Sequence, residues 1–217
     1  FRPAGYHYLD IPFVKYLGLN ALAVRLPSAL FGALSVLTIY FFVLELFSSH
    51  KYSSLFSLLS SFYLAISPWH INISRATSES VVAGFFVIVG SYLLLRATAK
   101  SRSPILFLVL SFASFFVSFL FYHSARLFVP VFLVPLLCYL FATRKPPAKT
   151  KFAVIASAIV LIISLGALMK FSQGAARPTT VSIFQIPGGD QQIYQQIGED
   201  GTRPAIVTRF LHNKLLF

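Results

Sequence analysis

Residues 23–46 read AVRLPSALFGALSVLTIYFFVLEL, a run in which only Arg25 and Glu45 are charged. A helix crossing the hydrocarbon core of a bilayer needs about 20 predominantly apolar residues, and this run is long enough. Five more such runs follow, at about 54–70, 78–97, 104–122, 127–143 and 152–170. Each is continuously apolar, whereas a membrane β-strand alternates polar and apolar residues over roughly ten positions. The chain as a whole fits that picture, being 57% hydrophobic and only 11% charged over 217 residues, with a mean hydropathy of +0.77. A water-soluble domain of that size needs more charge to cover its surface. The fold class expected is all-α, a polytopic transmembrane helical bundle of about six spans with extracytoplasmic loops. Residues 1–22 form an N-terminal piece outside the membrane, 23–170 the bundle, and 171–217 an outer loop or the start of an outer region.

The charges say which way the bundle faces. Net charge is +12, but Lys and Arg stand at the ends of apolar runs rather than on one face. That pattern suits topology signals and phospholipid contacts, not nucleic acid. Three connections carry Lys51, then Arg96, Lys100 and Arg102, then Arg144, Lys145, Lys149 and Lys151; the two opposite carry Arg75 and Arg126. The positive-inside rule puts the first group in the cytoplasm. The short loops make consecutive spans antiparallel neighbours. Glu45, near the cytoplasmic end of the first span, is expected to snorkel or to pair with Lys51. A single cysteine, Cys138, excludes a disulfide framework and a cysteine metal site, and reads as an inert packing residue. No signal peptide is visible in the chain, which begins at Phe1 and ends within RFLHNKLLF, and it reads as an internal piece of a longer protein.

Two outer turns gather polar groups. The first, SPWHINISRATSES at 67–80, holds Trp69, His70, Asn72, Arg75 and Glu79; the second, in FYHSARLFVP, holds Tyr122, His123 and Arg126. Polar groups at a bundle rim are costly unless paired or wet, so they are functional candidates. Glu79 reads in two ways. It is a first-turn carboxylate complementing a helix dipole, with Thr77 or Ser78 as cap, or a base or divalent-cation ligand at a membrane-edge site. Arg75 is a snorkelling arginine, a partner for Glu79 four residues on, or a clamp for a lipid-linked phosphate. If adjacent spans pack together, the two turns face one another and line a basic, aromatic pocket with Arg75, Arg126, His123 and Tyr122. Arg25 reads first as an anchor at the membrane edge and Trp69 and His70 as interfacial residues, with His70 and Arg25 as accessories to the pocket in the alternative. Asp10, in the outer N-terminal piece, has no role that its spacing reveals.

RPAGYHYLDIPFVKYLGLNALAVRLPSALFGALSVLTIYFF, AISPWHINISRATSES and YHSARLFVP together resemble the bacterial and archaeal membrane glycosyltransferases of the GT-C class. These are the relatives of the dolichyl-phosphate-mannose protein mannosyltransferases and of the aminoarabinose lipid A transferases. The likeness covers most of residues 2–130, and SIFQIP and RFLHNK are similar to an outer loop of some members. It implies a multi-pass enzyme of the plasma membrane that takes a sugar from a polyprenyl-phosphate donor. The sugar passes, with inversion, to a protein, lipid or glycan acceptor on the extracytoplasmic side. Membrane lipids are its other partners, nucleic acid is not one, and a divalent cation is the one cofactor in question. The family's main acidic residue precedes this chain, so the fragment is expected to be inactive alone. Glu79 matches a second acidic position, where many relatives carry Asp, and is implied to assist the base or bind a metal. Arg75 and Arg126 match arginines that hold the donor phosphate. The rival readings are a transporter or flippase, and a non-catalytic binder of polyprenyl phosphate; no paired broken helices or mid-span charges favour the first.

Overall fold

The computed structural model describes residues 5–99 and 103–171; the polar tail 172–217, expected to lie outside the membrane, falls outside these. The chain enters through an outlying helix, α1 (Gly5–Leu17), and turns at Gly18 into the long α2 (Ala21–Leu46). Gly18 has φ +76°, the left-handed value that ends helices without a Cβ penalty. Asn20 then joins the two helices with one side chain. Its Nδ2 donates to Leu17 O and its Oδ1 accepts from Ala23 N, both at 2.8 Å. It satisfies an orphan carbonyl of α1 and an orphan amide of α2 at once.

The remaining helices are α3 (Ser53–Ile66), α4 (Pro68–Arg75), α5 (Glu79–Thr98), α6 (Pro104–Phe121), α7 (Ala125–Thr143) and α8 (Ala148–Phe171). Five of these, α2 and α5 to α8, are long and apolar enough to cross a membrane. The run at 54–70 departs from the expected single span. Pro68 at the first turn of α4 cannot donate, and the preceding Ser67 is pushed into extended backbone at φ −63°, ψ 118°. The run is thereby cut into α3, whose 14 residues reach only about 21 Å, and the 8-residue α4. End to end the two cover about 33 Å, a bilayer core's thickness. The expected six spans are thus five long helices and one broken crossing.

Contacts at the two ends of the bundle fix the directions of the helices. At one end the C-termini of α2, α5 and α7 meet. Glu45 accepts from Arg144 at 2.8 Å and from Arg96 at 3.3 Å. Arg144 also donates to Leu95 O and Ser48 Oγ, each at 3.3 Å, and to Glu45 O. Tyr139 OH donates to Leu46 O. Glu45 therefore pairs with two arginines from other helices and not with Lys51, whose ammonium lies 5.7 Å from the Tyr52 ring. At the opposite end Tyr6 of α1 is buried among Val82, Ala83 and Phe121, so the starts of α2 and α5 meet the end of α6. Its hydroxyl donates to Val24 O at 2.9 Å.

Small residues let the helices approach closely, as lipid-embedded packing requires. Ser111 Oγ donates to Gly90 O at 2.7 Å, joining α6 to α5. A Cβ on Gly90 would lie 3.0 Å from the Phe115 ring, and one on Gly32 would collide with Ser74. The outward faces carry Leu34, Leu37 and Phe41 on α2, Leu106 and Val109 on α6, and Val131 and Val134 on α7. So much exposed apolar surface belongs in lipid. Cys138 is on this outward surface too, contrary to its reading as a packing residue.

Candidate functional site at the Tyr6 end

The helix breaks that shorten the loops also place the polar groups. Pro68 starts α4, so Trp69 and His70 fall in its first turn, beside the start of α5. Tyr122 terminates α6 in extended backbone, and the amides of Ala125 and Arg126 close the next turn on Tyr122 O and His123 O. Trp69, His70 and Tyr122 come together on one cavity of about 450 Å³, with Ser35 of α2 and Ser80 and Gly84 of α5 in its walls. His70 Nε2 is shut off from solvent and has no hydrogen-bond partner. Such orphans are uncommon in folded proteins.

A second hollow of about 490 Å³ lies between α5 and α7 and is almost wholly apolar, with Phe42, Val87, Phe128 and Phe132 in its walls. The arginines are distributed differently. Arg25 and Arg75, both exposed, flank a third hollow of about 330 Å³ above Ala29. Arg25 also adjoins Asn20 and Thr77 in a fourth. Arg126 is buried, and its Nε donates to Phe119 O at 3.3 Å. A cation there closes the carbonyl end of α6, where the helix dipole favours it. His123 is half-buried in the turn between α6 and α7.

Glu79 is the first residue of α5, half-buried. No ion pair joins it to Arg75. The two stand on different helices, α4 ending at Arg75 and α5 starting at Glu79, so the i, i+4 geometry of a common helix does not apply. Ser78 occupies the cap position without capping; its hydroxyl bonds Ser80 Oγ at 2.7 Å instead. Among the described residues no three His, Cys, Asp or Glu side chains gather as a metal site. One carboxylate does not hold a divalent cation that takes six or more oxygens, so no step is assigned to a metal.

Asp10 is the residue whose setting the sequence conceals. It is 8% exposed, and its Oδ1 has no partner. Burial pushes its carboxyl above the usual range, with His7 opposing. Burial, and then the Asp10 charge, push the Tyr6 phenol up to about 12. The spacing of four between Tyr6 and Asp10 is the one sequence signal that they share a helix face.

The profile of the dolichyl-phosphate-mannose-protein mannosyltransferase family matches residues 2–169. The chain belongs to this family. It is also 24% identical over 174 residues to YkcB of Bacillus subtilis (strain 168), a protein named provisionally as a mannosyltransferase. That alignment covers 76% of the chain but 23% of YkcB, so the chain spans less than a quarter of the relative's length. No solved structure matches. The GT-C-like membership and the five long apolar helices make this a multi-pass membrane protein of a glycosyltransferase family.

Proposed function

We propose that the chain is the donor-binding part of a membrane glycosyltransferase. It takes a sugar from a polyprenyl-phosphate carrier and passes it to a hydroxyl of a protein, lipid or glycan acceptor. The reaction takes place on the extracytoplasmic face of a bacterial or archaeal plasma membrane, and the Tyr6 end of the bundle faces that side. The observation that carries this reading is the family match over residues 2–169, laid over a rim where a cavity, an apolar groove and exposed arginines lie within a few turns of each other.

In the reaction the acceptor oxygen attacks the anomeric carbon opposite the phosphate. The new C–O bond forms as the bond to the phosphate oxygen breaks, and polyprenyl phosphate leaves with the electron pair. The acceptor proton goes to a base outside this chain, and the anomeric configuration inverts. Arg75 and Arg126 stabilise the charge growing on the phosphate, with Arg25 beside Arg75 adding to the field and Tyr122 and His123 completing the phosphate's surroundings. Glu79 assists that base through its negative charge, which favours the form of the base that has taken up the proton.

The test is donor binding by the purified full-length protein. Arg75→Ala is expected to weaken binding of a polyprenyl-phosphate sugar roughly tenfold or more, the loss of a charge-assisted hydrogen bond. Lys149→Ala, at the other end, is expected to leave it unchanged. Equal effects of the two substitutions refute the assignment of donor binding to the Tyr6 end.

A further inference from the structure

Asp10 Oδ1 and Ser28 Oγ, one on α1 and one on α2, are both buried without a hydrogen-bond partner, and Ser28 has no exposure at all. Tyr6 links them. Its phenol stands beside Ser28 and also feels the Asp10 charge. The ion pairs of the described residues are those of Glu45, at the far end of the bundle, and none reaches Asp10. A carboxylate buried with neither a cation nor a full set of donors is costly, and the Asp10 carboxyl is held above its usual range by that burial. The neutral form of Asp10 suits this setting and the charged form does not.

The charged groups on the surrounding elements serve other places. On α1 itself His7 and Lys15 are exposed, and His7 opposes the shift of Asp10. On α2, Arg25 lines one hollow with Arg75 and another with Thr77. On α5, Glu79 precedes Val82 and Ala83, which Tyr6 covers. Beyond α6, His123 lies in the turn and Arg126 bonds Phe119 O. Helix α1 is held at its two ends. One end is the Gly18–Asn20 joint, and the other is Tyr6, through Val24 O, with Gly5, where a Cβ would lie 2.6 Å from Leu120 O. Between them Tyr8, Ile11 and Tyr16 are exposed, as in a helix lying at a membrane interface. Lifting the Tyr6 end leaves that face in the interface and uncovers Val82, Ala83 and Phe121.

We propose that α1 is a strap across the starts of α2 and α5, latched while Asp10 carries its proton and released at the Tyr6 end when Asp10 ionises, with Gly18 as the pivot. The signal it reads is the acidity of the compartment that the Tyr6 end faces. The docked state binds the proton more tightly than the released one, in which Asp10 meets water and returns to its ordinary 3.8. Docking is therefore strongest below pH 3.8 and is lost as pH rises through the raised value. Within that window the ratio of docked to released strap falls by up to about tenfold per pH unit. Release bares the first turns of α5, where Ser80 and Val81 wall the rim cavity. The strap needs no donor, so it stands apart from the donor-binding reading.

The experiment uses the full-length protein in lipid nanodiscs, with its native cysteines, Cys138 included, replaced by serine. Spin labels go on Tyr8→Cys and Lys51→Cys, both exposed positions, and pulsed electron paramagnetic resonance reads the distance between them from pH 3.8 upward. The otherwise unaltered protein is expected to show one distance at the acid end and a second that grows as pH rises. Asp10→Asn, which stays neutral, is expected to keep the first distance throughout. His7→Gln removes a charge that favours ionised Asp10, so the second distance should set in at higher pH. A distance that does not change with pH overturns the proposal, and so does Asp10→Asn responding to pH as the parent does. If Asp10→Asn does not fold, His7→Gln decides: an onset that is unmoved, or moved to lower pH, overturns the latch.

Discussion

Glu45 ties three helices together at one end of the bundle, and replacing it gives a quantitative test of the packing. Glu45 and Arg144 have side chains only 14% and 15% exposed, whereas Arg96 is 48% exposed. Removing one partner of a fully buried ion pair costs about 3–5 kcal/mol, because the other charge is left unpaired. Arg144 keeps its bonds to Leu95 O, Glu45 O and Ser48 Oγ, which soften the loss. Glu45→Ala is therefore expected to destabilise the fold by about 2–3 kcal/mol. Arg96→Ala should cost less than about 1 kcal/mol, since its half of the cluster faces solvent. Lys51→Ala should stay within about 0.5 kcal/mol of wild type. The assay is a denaturant titration in detergent, with a double-mutant cycle on Glu45 and Arg144 to isolate their coupling. A Lys51→Ala effect as large as that of Glu45→Ala would refute the arrangement. So would a negligible Glu45–Arg144 coupling.

Three further outcomes follow from the geometry. Gly90→Leu forces Phe115 aside and should cost about 1–3 kcal/mol, read as a lowered unfolding midpoint, whereas Gly84→Ala on the same helix, where a Cβ meets no atom within 4 Å, should not. Asp10 titrates above its ordinary 3.8, so the folded state holds the proton more tightly than the unfolded one. Its effect on stability is most favourable below pH 3.8 and is lost as pH rises through the raised value. Asp10→Asn should accordingly raise the melting temperature at pH 7 and lose that advantage toward pH 3.8; a gain that grows on acidification contradicts the sign. With Cys138 replaced by serine, a membrane-impermeant thiol reagent on intact cells should label Thr77→Cys and not Lys149→Cys; the reverse pattern inverts the proposed orientation.

Much of the architecture is legible in the sequence because lipid imposes a simple rule. Continuous apolar runs of bilayer length must be helices, and α2 and α5 to α8 follow from counting. The broken crossing does not follow from hydropathy alone. LAISPWHI stays apolar enough to extend the run, while Pro68 cuts it through backbone sterics. Pairings between helices are less legible still. Glu45 meets Arg144 across 99 positions, and nothing near Glu45 distinguishes that partner from Lys51.

At the candidate site the residue types were readable and their grouping was not. Trp69, His70 and Tyr122 do share a cavity, as two facing turns suggest, but Arg75 lies by Arg25 and Arg126 is drawn under the end of α6. Which way a rim side chain points depends on where its helix starts, and a shift of one residue turns it by about 100°.

The measurement closest to the central claim is sugar transfer by the full-length protein reconstituted with a polyprenyl-phosphate mannose and a membrane extract as acceptor source. The account predicts consumption of the donor with inversion at the anomeric carbon, sharply reduced by Glu79→Gln and by Arg126→Ala without loss of folded protein. Transfer unchanged in both variants contradicts the site, and donor that is bound but never consumed by wild type contradicts the enzyme.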